Sequence, residues 1–534
     1  MKKSNMFFLM IVALSFNGKG FGQLKQGEFL IRGGTEGGWG ITATNDNGYC
    51  ITGLVSIPDF AMGYGGVYAA KFDLNGALQW SKALGGGPPY SDDGCSIIQV
   101  KDKGYVIAGS TSNFNVNHNE KVYVIKLDSA GNLKWTQTIG GSSNEEGYAV
   151  AEADDGGYVI TGWEESFGPG LSAVYIVKLD TAGNLKWTNA IGGANAEAGE
   201  SIVCTSDKGF AIAGNTDSYG AAVGNNGDNV YVVKLDSIGN LKWTKTIGGT
   251  IDEEGWGITQ TKDKGYAITG DSRSYGDTIN GDVYVVKLDS LGNLRWAEAI
   301  GGAKSDGGRS IASTFDGGCV ITGFTYSYGD TAGGKYSIYV IKLDTVGKVE
   351  WTRAIGNGAG SVGESIVQTK DSGYAITGVS DTALLFLKLD KHGNTCLPYD
   401  SGGIVTKGGI IGSGGGVSSG GSVQRGGTIN NAGSIETTFC SVTGINNIPL
   451  LSINGISIYP NPNNGIFYLS LSNADANCSV EVYNILGEIV YTKILFQSQS
   501  NTIINLTGQP SGVYFYRVME QDGGLVGSGK LVIE

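Results

Sequence analysis

The sequence predicts an all-β protein: a seven-bladed β-propeller with four-stranded blades, followed by a Gly/Ser-rich linker and a small Ig-like β-sandwich. Two observations predict the propeller. A strand ending in Lys-x-Asp recurs with its aspartate at 73, 128, 180, 236, 289, 344 and 390. Asp-x-Gly turns also recur seven times, and 90 of the 534 residues are glycine. Repeats with the spacing of these aspartates, built of short strands and tight turns, are typical of propeller blades.

Turn chemistry orders the four candidate strands of each repeat. Asp-x-Gly leads into the second strand, as at Asp263, and Asp-x-x-Gly-Asn joins the third strand to the fourth, as at Asp289. Both hairpins therefore lie on one face, and the longer links lie on the other. We expect residues 28–33, which resemble a fourth strand, to pair with 384–390. That pairing would close the ring and cover an open sheet edge.

Tryptophan recurs in the fourth strand, seven residues after the aspartate. The positions are Trp80, Trp135, Trp187, Trp243, Trp296 and Trp351. A residue so regularly repeated is expected to pack between blades rather than to bind a sugar. The stretch Val283–Trp296 resembles the tryptophan-docking motif of quinoprotein dehydrogenase propellers. The adjacent cysteine pair of those enzymes is absent, so the resemblance implies no such activity.

Composition excludes several classes of function. The net charge is −13 with no basic stripe, which argues against nucleic-acid binding. Only two histidines occur, His118 and His392, and the seven cysteines lack C-x-x-C spacing, which argues against a His-based catalytic centre or a zinc site. No cofactor is expected. Ca²⁺ could bind the Asn/Asp/Gly loops at 225–229 and 277–282, which lack EF-hand spacing and are interpreted first as turns.

The chain is predicted to have four parts. Residues 1–22 have the lysines and apolar run of a signal peptide, 23–397 form the propeller, 398–450 the linker, and 451–534 a terminal domain. No later apolar run is long enough to span a membrane. Cys396 and Cys440 bracket the Gly/Ser-rich stretch, which is interpreted as flexible or loosely β. They are a candidate disulfide, with free thiols or intermolecular pairing as alternatives.

Four ordered motifs mark the terminal domain. They contain Tyr459, Pro460, Asn461 and Pro462, then Gly487, then Gly512 and Tyr514, and finally Lys530. In this order they resemble the type A C-terminal sorting domain of type IX secretion substrates from Bacteroidota. The resemblance implies the type IX machinery and its sorting peptidase as partners, and a secreted or outer-membrane-anchored location. A carbohydrate-binding or fibronectin-like sandwich is the alternative.

One position differs from blade to blade while its neighbours repeat. It follows a recurring glycine at the start of the first strand and is Cys95 in the second repeat. The candidate ligand-binding residues at this position are Trp39, Tyr148, Glu200, Trp256, Arg309 and Glu364. Aromatic side chains beside carboxylates and an arginine would suit a glycan. Divergent packing inside the channel is the alternative.

Carboxylates also recur two residues before that glycine. They are Glu36, Asp92, Glu145, Glu197, Glu253 and Asp306. If the first strand is innermost, they form a ring at the channel mouth that could hold a cation or grip a ligand. Because the carboxylate repeats in nearly every blade, capping of backbone N–H groups is favoured. Loop aromatics at 114, 167, 219, 275 and 328 are likewise interpreted as loop anchors.

These features favour a secreted or cell-surface binding or adhesion module, for a glycan or a protein ligand. One alternative is a polysaccharide-acting hydrolase or lyase that uses Glu200 and Glu364. A structural surface-layer component is another. Catalysis is not favoured because no blade carries an inserted loop with paired carboxylates, and no catalytic residue is assigned.

Overall fold

A computed structural model of the chain describes residues 27–31, 35–56, 65–74, 76–85, 91–114, 118–220, 227–276, 279–329, 334–356, 360–380, 383–394, 410–413, 416–418, 422–424, 428–431, 435–438, 456–459, 463–471, 478–484, 488–495, 501–520 and 525–533. Within these residues the chain forms β-strands and no α-helix. The chain divides into two compact units, 1–443 and 444–534. The predicted signal peptide at 1–22, Cys396 and Cys440 lie outside the described residues.

Seven antiparallel sheets form the first unit. The first strands are β2 (Thr35–Ala43), β6 (Asp92–Gln99), β10 (Glu145–Glu152), β14 (Glu197–Cys204), β18 (Glu253–Gln260), β22 (Asp306–Ser313) and β26 (Ser361–Gln368). The second strands are β3 (Tyr49–Ser56), β7 (Tyr105–Thr111), β11 (Tyr158–Glu164), β15 (Phe210–Thr216), β19 (Tyr266–Ser272), β23 (Cys319–Thr325) and β27 (Tyr374–Ser380).

The third strands are β4 (Gly65–Phe72), β8 (Lys121–Leu127), β12 (Ala173–Leu179), β16 (Asn229–Leu235), β20 (Asp282–Leu288), β24 (Ser337–Leu343) and β28 (Ala383–Leu389). The fourth strands are β5 (Leu78–Gly85), β9 (Leu133–Gly140), β13 (Leu185–Gly192), β17 (Leu241–Gly248), β21 (Leu294–Gly301), β25 (Val349–Ile355) and, from the N-terminal side, β1 (Gly27–Ile31). Strand order is sequential in blades one to six, and β1-β28-β27-β26 in the seventh.

The sheets close into a ring around their first strands. Each first strand contacts the first strand of the next blade, and β26 contacts β2. β1 pairs antiparallel with β28, with Phe29 opposite Phe386 and Ile31 opposite Leu384. The predicted seven-bladed propeller is confirmed, as is its closure by the N-terminal strand.

The repeated tryptophans join neighbouring blades. Trp80 lies against Gly131 in the turn between β8 and β9, where a Cβ would be 2.7 Å from the indole. It also meets the Tyr105 ring edge-on, with centroids 5.4 Å apart. Gly131 has a φ of 79°, so this position needs glycine for both its backbone and its contact with the indole. The other five tryptophans contact the equivalent glycine of the next blade, and the predicted packing role is confirmed.

A buried lysine is the last but one residue of the third strand in every blade and contacts the aspartate of the Asp-x-Gly turn. The Nζ–Oδ2 distance is 2.9 Å between Lys287 and Asp263. The lysine side chain is 7% exposed and the aspartate 63%, so the cation is the buried partner. The other six pairs are Lys71–Asp46, Lys126–Asp102, Lys178–Asp155, Lys234–Asp207, Lys342–Asp316 and Lys388–Asp371. We call these seven pairs the turn latches.

The loop aromatics pack against the tyrosines of the third strands, stacked in three pairs and tilted in two. The ring centroid of Tyr275 lies 5.7 Å from that of Tyr284, and the angle between the two ring planes is 20°. The Tyr275 hydroxyl donates to the Gly248 carbonyl oxygen. The remaining pairs are Phe114–Tyr123, Phe167–Tyr175, Tyr219–Tyr231 and Tyr328–Tyr339. These aromatics anchor the loops between second and third strands.

Five short strands lie in the Gly/Ser-rich linker. They are β29 (Ile410–Ser413), β30 (Gly416–Ser418), β31 (Ser422–Gln424), β32 (Thr428–Asn431) and β33 (Ile435–Thr438). Each pairs antiparallel with the fourth strand of a different blade. Blades one to five therefore have a fifth strand at their outer edge.

The second unit is a small β-sandwich. Its sheets have the orders β34-β35-β38 and β37-β36-β39-β40. The strands are β34 (Ile456–Tyr459), β35 (Ile466–Leu471), β36 (Cys478–Tyr483), β37 (Ile489–Leu495), β38 (Asn501–Asn505), β39 (Gly512–Glu520) and β40 (Leu525–Ile533). Phe467, Val480 and Val518 are at most 1% exposed and belong to its apolar core. The Ig-like sandwich predicted from the sequence is confirmed.

Candidate ligand site in the central channel

A β-bulge interrupts the first strand of every blade at the residue that varies. In blade five, Gly255 pairs with Gly270 and Gly257 pairs with Thr269, so Trp256 has no partner on β19. The skipped residues in the other blades are Trp39, Cys95, Tyr148, Glu200, Arg309 and Glu364. A bulge lifts one residue out of the hydrogen-bonded ladder and re-aims its side chain.

Paired glycines make the bulge possible. The glycine before the bulged residue lies opposite the glycine near the end of the second strand, as Gly255 lies opposite Gly270. A Cβ at Gly270 would overlap the backbone carbonyl oxygen of Glu254. The same overlap recurs at the second-strand glycine of every blade. These glycines are therefore required by the close approach of two backbones.

The bulged residues converge on one cavity. All six candidate ligand-binding residues and Cys95 line it, together with residues that follow them on the first strands. Its volume is about 130 Å³, smaller than the ~300–1,000 Å³ of typical small-molecule pockets. The cavity can accept an ion, water or one protruding group of a larger ligand.

Arg309 is held between aromatic rings. Its guanidinium carbon lies 4.6 Å from the ring centroid of Trp256 and 5.4 Å from that of Phe324. Stacking on two rings limits the orientations of the guanidinium plane and leaves its N–H edge available to acceptors. Arg309 is therefore a positioned donor at the centre of the ring.

Carboxylates surround this arginine. Burial, with repulsion from Glu254 and Glu146, raises the pKa of Glu200 to about 8 although Arg309 opposes the shift. Burial likewise raises the pKa of Asp271 to about 7, against the pull of Arg309 and with repulsion from Glu254. Burial also raises the pKa of Glu364, again opposed by Arg309. The channel thus has an excess of carboxyl groups over cations, and bound positive charge would favour their ionised form.

A second variable position was missed in the sequence. It follows the second-strand glycine and is Leu54, Ser110, Trp163, Asn215, Asp271, Phe324 or Val379 in successive blades. Trp163 Nε1 donates to Tyr148 Oη at 2.7 Å, and Asp271 Oδ1 accepts from the Gly308 backbone N–H at 3.1 Å. These side chains support the bulged residues. The same signal, variation beside an unvarying glycine, would have found them.

The carboxylates predicted at the channel mouth are buried in the blades. Glu253 is 0% exposed; its Oε2 accepts from the Gly249 N–H at 2.5 Å, and its Oε1 accepts from Ser272 Oγ and the Ser274 N–H. Glu145, Glu197 and Asp306 accept from the equivalent glycine N–H, and Asp92 accepts from Thr111 and Asn113. Nothing is described of the Glu36 side chain. Each described carboxylate of this set is a structural acceptor within the blades.

A separate acidic group lies where blades four and five meet. Oxygens of Asp228, Asp252 and Glu254 lie within 4.8 Å of one another. Burial, a hydrogen bond to Asp217 and repulsion from its neighbours raise the pKa of Asp228 to about 8. Clustered carboxylate oxygens are chemically suited to Ca²⁺, and Asp228 belongs to the loop at 225–229. Residues 221–226 of that loop lie outside the described part of the chain.

The motif residues of the terminal domain lie partly in described strands. Tyr459, Gly512, Tyr514 and Lys530 belong to β34, β39 and β40, whereas 460–462 and Gly487 lie outside the described residues. Tyr514 is 5% exposed and its hydroxyl donates to the Pro510 carbonyl oxygen at 2.7 Å. Residues 457–534 match the family described as "Secretion system C-terminal sorting domain". The protein is a type IX secretion substrate.

Its sorting domain directs the substrate to the cell surface or the exterior, through interaction with the type IX machinery. No helix among the described residues is long and apolar enough to cross a membrane. No curated protein matches this type IX substrate in sequence.

Several solved structures resemble the type IX substrate at low identity. Sqt1 from Chaetomium thermophilum is 11% identical, covers 68% of this chain and 99% of its own, and has a TM-score of 0.41. PorZ, a surface component of the type IX system of Porphyromonas gingivalis, is 10% identical over 91% of this chain, with a TM-score of 0.34; the match spans 58% of PorZ. The soluble aldose sugar dehydrogenase of Escherichia coli is 10% identical over 69% of this chain and 100% of its own, with a TM-score of 0.33.

The raised pKa of Glu200 leads to a testable pH dependence in the type IX substrate. Its pKa is about 8 in the folded protein against 4.5 for a free glutamate. The associated stability is present below pH 4.5 and is lost as pH rises through 8. Glu200→Gln should leave Tm nearly unchanged at pH 5 and raise it by about 2–4 °C at pH 9. Equal Tm shifts at both pH values, measured by tryptophan fluorescence, would contradict this assignment.

Proposed function

We propose that this type IX substrate is a non-catalytic binding module, presented at the cell surface or released, that recognises a glycan bearing amino groups through the channel residues. One observation carries the proposal. The residues that the bulges lift out of the strand ladders differ from blade to blade, and they line a single cavity. Residues that vary at one place on a rigid, regular scaffold are typical of recognition sites.

The chemistry of these side chains supports a glycan. Trp39 and Trp256 offer aromatic surface to the apolar side of an entering substituent, and Arg309, which stacks on Trp256, offers fixed donors to hydroxyl groups. Because the cavity is only about 130 Å³, a substituent would enter it while the rest of the glycan stays outside. Glu200, Asp271 and Glu364 are the groups whose charge an entering ammonium would compensate.

The binding test uses the full chain on an array of glycans with and without amino groups. We expect Trp39→Ala combined with Trp256→Ala to weaken binding at least tenfold, about 1.4 kcal/mol. Phe315→Ala is the matched control, since Phe315 is 56% exposed in an Asp-x-Gly turn, on the face of the hairpins. Undiminished binding by the double variant would overturn the proposal.

Polysaccharide cleavage by Glu200 and Glu364 is the competing function, because a carboxyl of raised pKa can serve as a general acid. The two functions are distinguished by incubating each bound glycan with the protein. Release of reducing ends that is abolished by Glu200→Gln would replace the binding module with an enzyme. Binding without product supports the module.

We also propose the division of the chain that accompanies this function. The mature protein starts near Gln23, the four-stranded blades extend to residue 397, and the linker at 398–450, which contains the five short edge strands, precedes the sorting domain at 451–534. The sorting peptidase acts on that domain during export. Mass spectrometry of the secreted protein would measure both ends directly.

A further inference from the structure

The linker strands meet the propeller blades in reverse order. β29 pairs with β21 of blade five, β30 with β17 of blade four, and β31 with β13 of blade three. β32 then pairs with β9 of blade two and β33 with β5 of blade one. Between residues 410 and 438 the chain thus meets the outer edges of five consecutive blades, one short strand on each.

The register of these pairings repeats from blade to blade. Ile411 lies opposite Ile300, Val417 opposite Ile247, Val423 opposite Ile191, and Ile429 opposite Ile139. The four partners are equivalent residues, each four positions after the tryptophan of its blade. The pairing in blade one is offset by one residue, with Glu436 opposite Leu84.

The linker sequence has a matching period. An isoleucine or valine stands at 405, 411, 417, 423, 429 and 435, so every sixth residue is apolar. Glycine pairs separate the units at 402–403, 408–409, 414–415, 420–421 and 426–427, with Ala-Gly at 432–433. Six residues of extended chain span about 20 Å. The five units from 411 to 435 coincide with the five blades that the chain meets, and this period agrees with the pairing register.

We propose that the outer edges of blades one to five are a β-augmentation surface whose occupant is this chain's own segment 410–438, which acts as a belt that locks the ring. An outermost strand offers unpaired N–H and C=O groups, to which an extended segment can add. The belt satisfies those groups within the molecule. Because one continuous segment is paired to five blades, separating two of those blades also requires breaking belt pairings.

A double proline substitution tests the belt in the full-length protein. Adjacent residues of a strand point their N–H groups to opposite sides, so Ser422→Pro with Val423→Pro must remove one donor that faces β13. Ser422→Ala with Val423→Ala is the matched control, which keeps both donors. In hydrogen exchange, the proline variant should lose protection at the outer edge of β13 by about tenfold or more.

The neighbouring blades are internal references in the same molecule. β9 and β17 have their own belt strands, so they should keep their protection in the proline variant, and the alanine variant should match the unsubstituted protein. Loss of protection at β13, with β9 and β17 unchanged, supports the belt. Unchanged exchange at β13, or equal loss in the alanine variant, overturns it.

Deletion of residues 410–438 provides a second and broader measurement. It should raise exchange in β5, β9, β13, β17 and β21 but not in β25, whose sheet has four strands among the described residues. Tryptophan fluorescence reports whether the ring has folded, because all nine tryptophans lie between 39 and 351. Equal exchange in β25 and the five other outer strands of a folded ring would contradict the proposal.

Discussion

Replacing Gly270 with alanine is expected to destabilise the propeller by about 4 kcal/mol or more, among the largest losses that a single methyl group can cause. The added Cβ would overlap the Glu254 carbonyl oxygen, which is backbone and cannot rotate away. Relief would require separating β18 from β19 beside the bulge. The urea midpoint of tryptophan fluorescence measures this loss in the propeller.

Gly508→Ala is the control for the added methyl group. No atom lies within 4 Å of a Cβ at that position. Its free energy of unfolding, followed by circular dichroism because all nine tryptophans lie between 39 and 351, should stay within about 0.5 kcal/mol of that of the unsubstituted protein. If Gly270→Ala behaved like this control, the bulge would not depend on the close backbone contact.

The second large effect concerns the turn latch of blade five, and it should be asymmetric. Asp263→Asn leaves the buried Lys287 ammonium without its counter-charge and should cost about 2–3 kcal/mol. Lys287→Met removes the buried cation and leaves Asp263, whose side chain is 63% exposed, to be hydrated. Lys287→Met should therefore lower the free energy of unfolding less than Asp263→Asn does. If the two substitutions lowered the fluorescence-detected unfolding midpoint equally, or if Lys287→Met lowered it more, burial of the lysine would not determine the loss of stability.

The latches also predict sensitivity to acid. Burial alone would raise the pKa of Asp263, but hydrogen bonds from Thr261 and Lys287 outweigh it and lower the pKa to about 2. A lowered pKa means that the stabilisation is present above pH 3.8 and is lost as pH falls through 2. Asp316 has the same pKa of about 2 for the same kinds of reason. Asp263→Asn should accordingly be less harmful, relative to the unsubstituted protein, at pH 2 than at pH 7.

Much of the architecture could be predicted because its signals are local and occur seven times. Asp-x-Gly and Asp-x-x-Gly are turn signals that can be recognised within a few residues, and they mark the strand ends at Asp263 and Asp289. The tryptophan at a constant distance from the aspartate indicated contact between blades. Closure by β1 followed from one strand-like segment before the first complete repeat.

Features that depend on how one segment pairs with or packs against another were not predictable in the same way. The bulge at Trp256 is a relation between β18 and β19, and nothing within β18 alone shows that a residue lacks a partner. The buried position of Glu253 depends on the path of the link that begins at Gly248 and Gly249. The belt strands were obscured by composition, because glycine and serine suggest flexibility while one or two large apolar residues in each six-residue unit are a weak signal.

The bulge has a consequence for how such a protein can diversify. Trp256 and its counterparts have no pairing partner on the neighbouring strand. Gly255, which precedes Trp256, and Gly270, which lies opposite Gly255, cannot be replaced without a backbone clash. Mutations that alter recognition and mutations that damage folding therefore fall on different residues. Each of the seven blades therefore contributes one residue to the channel that can be exchanged without changing the strand pairing. A blade that arises by gene duplication brings a further bulged residue, and that residue can change under selection while the sheet that holds it stays the same.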